Sequence, residues 1–371
     1  MKNHISLFIF AIALLSGPVS ANDLSMTAVK DTLASIPGEH NYIYVRTPLG
    51  EDEEKNYDEI TFYDGLGREL DFAQSYGADR AGAIMAHHHL IEYDSLGRKE
   101  KQWLSTNTSF SYMSPEDLKG GVLWDYHDAG KRSYLQTNYE SSPLNRITEQ
   151  YGVGDAWGDH PARMEYLTNI PADSLRCSLY LIDDNDALIR RGDYRSGELQ
   201  VTKATDEDGR PTYTFVDKQG RTLLTRIGRG NQQADTYFVF DRFGRIRYVL
   251  PPMINDEISA GNLDLYAYQY LYDSFGRCIS KKLPGCAAIG YVYDKADRVI
   301  LSQNGNQSQK KEWTFTFYDN QGRLALTGLC SFNDPPSLDN SIVRAYRTTS
   351  EKDGVLHSGY EVEHFPYTLS S

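Results

Sequence analysis

The side chains best equipped for chemistry in this 371-residue chain are its 51 carboxylates, and they fall into groups. Asp183-Asp184-Asn185-Asp186 and Asp206-Glu207-Asp208-Gly209 are oxygen-rich runs of the kind that can hold calcium. Neither has the ligand spacing of a calcium loop, so both read as acidic hairpin turns. His87-His88-His89 offers imidazoles to a metal, and on a strand His87 and His89 would share one face. No further ligands stand nearby in sequence, so the run reads as a polar strand entering a turn. The cysteines are Cys177, Cys278, Cys286 and Cys330, with no Cys-x-x-C pair to suggest a zinc ribbon or a thioredoxin-type redox site. Cys278 and Cys286 can close a short loop around Pro284-Gly285, or all four can remain thiols. Gly152 and Gly154 follow no apolar strand and precede Trp157, which argues against a dinucleotide fingerprint. Gly-x-Ser-x-Gly and His-Glu-x-x-His motifs and a phosphate loop are absent. The expectation is therefore of no catalytic, metal-binding or cofactor-binding set, and of no enzyme.

The remaining carboxylates follow a rule. The phrase aromatic-Asp-x-x-Gly-Arg recurs as Tyr63-Asp64-Gly65-Leu66-Gly67-Arg68, Tyr93-Asp94-Ser95-Leu96-Gly97-Arg98, Phe240-Asp241-Arg242-Phe243-Gly244-Arg245, Tyr272-Asp273-Ser274-Phe275-Gly276-Arg277 and Tyr318-Asp319-Asn320-Gln321-Gly322-Arg323. Two copies depart from it. Val216 replaces the aromatic before Asp217, Gly220 and Arg221, and Asp297 replaces glycine in Tyr293-Asp294-Lys295-Ala296-Asp297-Arg298. Thr205 to Arg210 is the same phrase with threonine first. Asp favours the first position of a type I turn and Gly the fourth. The carboxylate can accept backbone N–H groups further along the turn, and Gly tolerates positive φ where the chain leaves it. Each copy thus predicts a hairpin tip whose Asp, Gly and Arg hold shape. The Arg that follows can lie over neighbouring Tyr rings.

The elements that must position these tips are strands. Trp313, Phe315 and Phe317 alternate with Thr314, Thr316 and Tyr318, and Tyr266 to Tyr272 alternate similarly, which is the period of a strand. From Asp217 onward the tips follow at intervals that suit one hairpin per unit and are too short for the four-stranded blade of a propeller. Asn304-Gly305 reads as a further tight hairpin, and Pro251-Pro252 ends the strand before it. Helices are few. Leu24–Ile36 can form one, and Ser114-Pro115-Glu116-Asp117 starts another that Gly120-Gly121 is expected to stop. Asn41 to Thr47 reads as a strand. The fold expected is mainly β: consecutive antiparallel hairpins in a long curved or spiralling sheet.

At the N-terminus, Lys2, the apolar run Ile5–Leu15 and the small residues Val19-Ser20-Ala21 read as a secretory signal over residues 1–21. No later run approaches the length of a membrane span. The product is then exported, to the periplasm, the cell surface or the medium. The net charge of −13 argues against a nucleic-acid partner.

The repeated Tyr-Asp phrase resembles that of bacterial RHS or YD-repeat proteins. Further phrases agree: the pair Tyr63–Arg68 and Tyr93–Arg98, the segment Ser142-Pro143-Leu144-Asn145-Arg146 with Glu149, Gln150 and Trp157, and downstream Tyr248–Pro252, Leu283-Pro284-Gly285 and Trp313–Gly328. The first of these is similar to the domain of unknown function that opens many secreted RHS proteins. The resemblance implies an N-terminal domain over 22–171, a repeat array over 172–330, and a segment 331–371 that loses the pattern and is truncated or partly ordered. It also implies hairpins joined into a hollow shell around a variable C-terminal effector, often a toxin. The core segment that releases such an effector, and the effector itself, are not seen in this sequence. A structural shell protein is thus one expectation, with further repeats or an effector encoded downstream as partners. A surface module whose Tyr-rich face binds glycans or cells is the alternative.

Overall fold

In the computed structural model, the residues described are 33, 36, 38, 40–48, 56–78, 84–228, 233–254, 256–352 and 355–366. The expected signal segment, and most of the helix expected over Leu24–Ile36, lie outside them. The chain is mainly β, with three short α-helices among the described residues. It forms two compact units. One comprises residues 1–165 with 204–210, and the other residues 166–203 with 211–371.

The first unit begins with β1 (Asn41–Pro48), β2 (Asn56–Tyr63), β3 (Glu69–Ala78) and β4 (Ile84–Tyr93), each antiparallel to the next. Strand β4 is long enough to serve two neighbours on its far side. Its last residues pair with β5 (Lys99–Trp103) and its earlier ones with β6 (Thr106–Ser109). After α1 (Pro115–Asp125), the strands β7 (Tyr134–Tyr139), β8 (Ile147–Tyr151) and β9 (Ala162–Thr168) extend the ladder from β5. Alternation places Ile60, Phe62, Ala73, Ile84 and Ala86 on one face with Phe110, all buried.

Helix α1 starts as its sequence suggests. Ser114 caps it by accepting from the Asp117 amide, with Pro115 in the first turn. It does not stop at Gly120-Gly121 but runs on to Asp125. The reason is steric: a Cβ on Gly121 would lie 2.6 Å from Thr106 Oγ1, so this glycine lets the helix approach β6.

In the second unit β10 (Ser178–Ile182) and β11 (Leu188–Asp193) form a separate hairpin, followed by β12 (Gln200–Thr205). A run of strands paired in chain order comes next: β13 (Pro211–Val216), β14 (Thr222–Ile227), β15 (Ala234–Phe240) and β16 (Ile246–Leu250). Helix α2 (Ala260–Tyr266) interrupts the sequence, and the ladder resumes with β17 (Tyr268–Tyr272), β18 (Cys278–Lys282), β19 (Ile289–Tyr293) and β20 (Val299–Gln303). Then come α3 (Gly305–Lys310), β21 (Glu312–Tyr318) and β22 (Leu324–Ser331). Because each strand is antiparallel to the next, every aromatic-Asp phrase from Asp217 to Asp319 falls on one margin of this sheet. The connections on the opposite margin vary in length, residues 251–267 forming the longest.

Two local readings are corrected here. Asn304-Gly305 is not a hairpin: Asn304 caps α3, with Gln307 reaching back to its amide in a reciprocal capping box. Tyr266 ends α2 rather than starting a strand. Residues 344–363, where the repeat phrase is lost, form the hairpin of β23 (Arg344–Lys352) and β24 (Val355–Glu363).

The second unit has two cores. Tyr213, Phe215, Leu224, Tyr237, Val239 and Leu250 build one. Trp313, Phe315 and Phe317, which alternate along β21, build the other with Ile300, Leu338, Val343 and Ala345. Replacing Phe317, fully buried and stacked on Phe315, by Ala should cost about 3–5 kcal/mol. A urea titration of the variant checks this.

Candidate functional site

The seven copies of the phrase fold identically. In each, the Asp amide donates to the carbonyl of the Arg four residues on, at 2.8–3.0 Å, and the Gly or Asp297 amide donates to the Asp carbonyl at 3.0–3.1 Å. One carboxylate oxygen accepts two further amides, as Asp64 Oδ1 does from Leu66 and Arg68 at 2.9 Å. The other pairs with the guanidinium of the phrase's own Arg. That Nε–Oδ2 distance is 2.7 Å at Asp64, Asp94, Asp217, Asp241, Asp273 and Asp319, and 3.1 Å at Asp294. The glycines take φ between 77° and 87°, and the aromatic pairs with the residue after Arg across a register shift, as Tyr272 does with Cys278. This is a type I turn closed by a left-handed residue at a bulge. Asp297 adopts φ 58° and keeps the same turn, since Asp tolerates that region better than most residues.

Six of these carboxyls titrate accordingly. The amide of the following Arg, with its guanidinium, holds Asp64 and Asp319 below the usual carboxylate range. Burial pushes Asp94, Asp217, Asp241 and Asp273 upward, but the same amides and guanidinium outweigh it, and each ends low.

Successive turns also hold one another. Arg68 lies over the ring of Tyr93 at 4.5 Å, and Arg98 over Tyr139 at 4.7 Å. In the second unit Arg221 lies over Phe240, Arg245 over Tyr272, Arg277 over Tyr293 and Arg298 over Tyr318, at 4.8–5.1 Å. The aromatic that opens each phrase is thus the seat for the Arg of the phrase before it. Where that aromatic is Tyr, its hydroxyl can add a bond to the carbonyl just after that Arg: Tyr93 to Glu69, Tyr139 to Lys99, Tyr272 to Ile246 and Tyr293 to Cys278. Sequence reasoning anticipated the ring contact but not this order.

One variant escaped it. Tyr139 to Arg146 is the same device with Glu140 in place of Asp. Its extra methylene spans a turn two residues longer, with Arg146 Nε at 2.7 Å and Asn145 at φ 54° in the glycine position. Arg146 pulls the Glu140 carboxyl down to about 2. The signal was the Tyr and Arg flanks. The acidic turn expected at Asp183 forms with the same two amide bonds, from Asn185 and Ala187 to Asp183 Oδ1, with Asp186 at φ 66° and no arginine after it.

The other candidates do not converge. His87 stacks on Tyr76, while His88 is buried with Nδ1 2.6 Å from Asp71 Oδ2 and Nε2 2.9 Å from the Ser109 carbonyl. Among the described residues no group of His, Cys, Asp and Glu is placed to hold a metal. All four cysteines are unpaired, and burial pushes the Cys177 thiol up to about 12 and Cys330 to about 11, so neither is a ready nucleophile. A cleft of about 510 Å³ in the second unit is lined by Arg176, Tyr180, Arg226, Asp235, Tyr237 and Asp256. Several of its polar groups are already engaged. Arg226, 3% exposed, pairs with Asp235 and the carbonyls of Ser174 and Arg176, and the Tyr180 hydroxyl donates to Asp256.

Residues 41–168 match the family model described as a domain of unknown function, DUF6443. No curated protein matches the sequence. Several solved structures do. One is titled "Crystal Structure of TcdB2-TccC3-Cdc42", with 14% identity, a TM-score of 0.53, and coverage of 87% of this chain and 15% of that one. Another, "Crystal Structure of TcdB2-TccC3", has 14% identity, a TM-score of 0.50, and coverage of 84% and 14%. At these identities the likeness is one of fold, and this chain spans a small part of each. No helix among the described residues is long and apolar enough to cross a membrane.

Asp273→Asn keeps an oxygen for the two amides but gives up the ion pair, and should cost about 1–3 kcal/mol by urea titration. The carboxyls of Asp64, Asp94, Asp217, Asp241, Asp273 and Asp319 have lower pKa values folded than unfolded. Their stabilisation is therefore whole above the unfolded value of about 3.9 and is lost as pH falls through the folded values. Urea midpoints should fall steeply below about pH 4 and change little between about pH 5 and 7.

Proposed function

We propose that this protein is a non-catalytic, exported wall segment of an RHS-type β-shell, which encloses or presents a polypeptide encoded elsewhere. One observation carries the reading: the carboxylate of every phrase is consumed in a turn, and the arginines of six of these turns are seated on the ring that opens the next. A chain that invests its recurring acidic groups in shape makes a surface rather than a reaction centre. The fold likeness to the TcdB2–TccC3 structures and the match to DUF6443 over residues 41–168 support it. The repeat phrase supports the RHS assignment, and the segment Lys2–Ala21 supports export. A glycan- or cell-binding module is the second reading. It is favoured by the cleft beside Tyr180 and Tyr237, which combines ring faces with Asp235 and Arg176.

The test is co-expression with the polypeptide encoded beside it, followed by limited proteolysis. The expected result is a neighbour protected only when this chain is present. Equal digestion with and without the chain would overturn the enclosing role. A glycan array bound by the chain and lost in Tyr237→Ala would support the binding module instead. Turnover of hydrolase substrates abolished by Asp235→Asn would establish an enzyme.

A further inference from the structure

The geometry points to an anion site: we propose that Lys295, Arg344 and His364 hold a phosphate group, free or as the monoester end of a larger molecule. The site lies within the second unit and is independent of the wall role.

Three segments build it. The first is the turn of residues 294–298, where Lys295 and Ala296 occupy the two variable positions of the phrase. The second is residues 338–344, which are sewn to that turn. The Lys295 amide donates to the Ser341 carbonyl at 2.9 Å, and the Val343 amide to the Asp294 carboxylate at 3.3 Å. Arg298 donates to the Val343 carbonyl at 2.8 Å, and Asp294 bridges to Leu338. Arg344 then enters β23 beside Tyr318 of β21. The third is the end of β24, where Glu363 stands opposite Arg344 and His364 turns the chain at φ 61°. Phe365 anchors that turn by packing on Phe317, with ring centroids 4.8 Å apart.

Lys295, Arg344 and His364 line a cavity of about 270 Å³ together with Asn340, Ser341 and Ile342, and no carboxylate lines it. Among the described residues, none of the three basic side chains has an ion-pair or hydrogen-bond partner. In a chain of net charge −13 such a cluster needs a reason, and the reason is local. The three segments contain four acids, and each is taken elsewhere. Asp294 is fully buried and pairs with Arg298 at 2.7 Å. Asp297 and Asp339 both pair with Arg277. Glu363 accepts the Tyr346 hydroxyl at 3.2 Å. Two cations and an imidazole are left around one space. Like charges gathered in this way repel until an anion neutralises them.

The donor set selects the anion. A carboxylate is planar and is satisfied by a single guanidinium fork. Here a fork, an ammonium with three protons and an imidazole that donates in either charge state border the same space from three segments. A tetrahedral phosphate presents oxygens in as many directions. Its charge of about −1.5 to −2 at pH 7 answers both cations.

The test is isothermal titration of the full chain with inorganic phosphate, at an ionic strength held constant with sodium chloride. Saturable binding is expected. Arg344→Gln and Lys295→Gln should each weaken it at least ~10-fold, as loss of a charge-assisted contact implies. Arg347→Gln, on the other face of β23, should bind as the parent does. Thermal melts separate binding from a folding defect. Without phosphate, Arg344→Gln and Lys295→Gln should melt at or above the parent, because each removes a repelling charge. With phosphate the parent should melt highest. Lys295 is exposed, so its variant serves even where Arg344→Gln fails to fold. Glycerol 3-phosphate, and phosphatidylcholine vesicles carrying phosphatidic acid, identify the source. Tighter binding of one of them than of inorganic phosphate, lost in Lys295→Gln, supports a soluble monoester or a lipid headgroup respectively. No saturable binding of any of these probes, or equal binding by the parent and both variants, would overturn the proposal. So would acetate binding as tightly as phosphate, which would make the ligand a carboxylate.

Discussion

The structure depends on a carboxylate that is shared three ways. In each phrase the Asp accepts two backbone amides, which fixes the turn, and pairs with an Arg, which fixes where that guanidinium lies. The guanidinium then rests on the ring that opens the next phrase. None of these contacts is strong alone. An exposed guanidinium–ring contact contributes about 0.5–1 kcal/mol, against about 3–5 kcal/mol for removal of a buried Phe from a core. Their value is in register. A slip of one residue would turn every side chain of a strand to the wrong face. The ring, the guanidinium and the bulge after Arg meet in only one alignment. Burial supplies the stability, and the turns decide which alignment is stabilised.

How much of this could be read from residues alone depended on the range of the interaction. The turns at Asp64, Asp94, Asp217, Asp241, Asp273, Asp294 and Asp319 were legible because every atom involved lies within six consecutive residues. Even the substitution of Asp297 for glycine keeps the turn, since a short polar side chain tolerates positive φ there. The turn at Glu140 was missed because a longer side chain allows a longer loop, and the spacing that defines the phrase is lost. Asn304-Gly305 was misread because Asn serves equally as a turn residue and as a helix cap. Only Gln307, reaching back to the Asn304 amide, separates the two. The pairing of His88 with Asp71 needed the β3–β4 register, which no local pattern supplies.

The candidate site divides in the same way. Which residues hold the turns follows from the phrase, but which ring seats which arginine does not. That assignment joins residues 16 to 41 positions apart in sequence, as with Arg277 and Tyr293 or Arg98 and Tyr139. The variable connections between strands hide it until the strands are paired. The cleft beside Tyr180 is likewise assembled from β10, β15 and the prolines after β16, and no single stretch announces it.

The two margins of the second unit's sheet are unequal. The phrases stitch one margin at fixed length, while the other carries connections as different as residues 251–267, with α2, and residues 304–311, with α3. A sheet fastened along one border can let the opposite border drift. Insertions there lengthen a loop without disturbing the spacing of the stitches. New surface features can therefore accumulate on that border at small thermodynamic penalty, since doubling a loop's length costs only about 0.6 kcal/mol. Divergence between relatives of this chain should concentrate there, leaving the stitched border as the conserved seam.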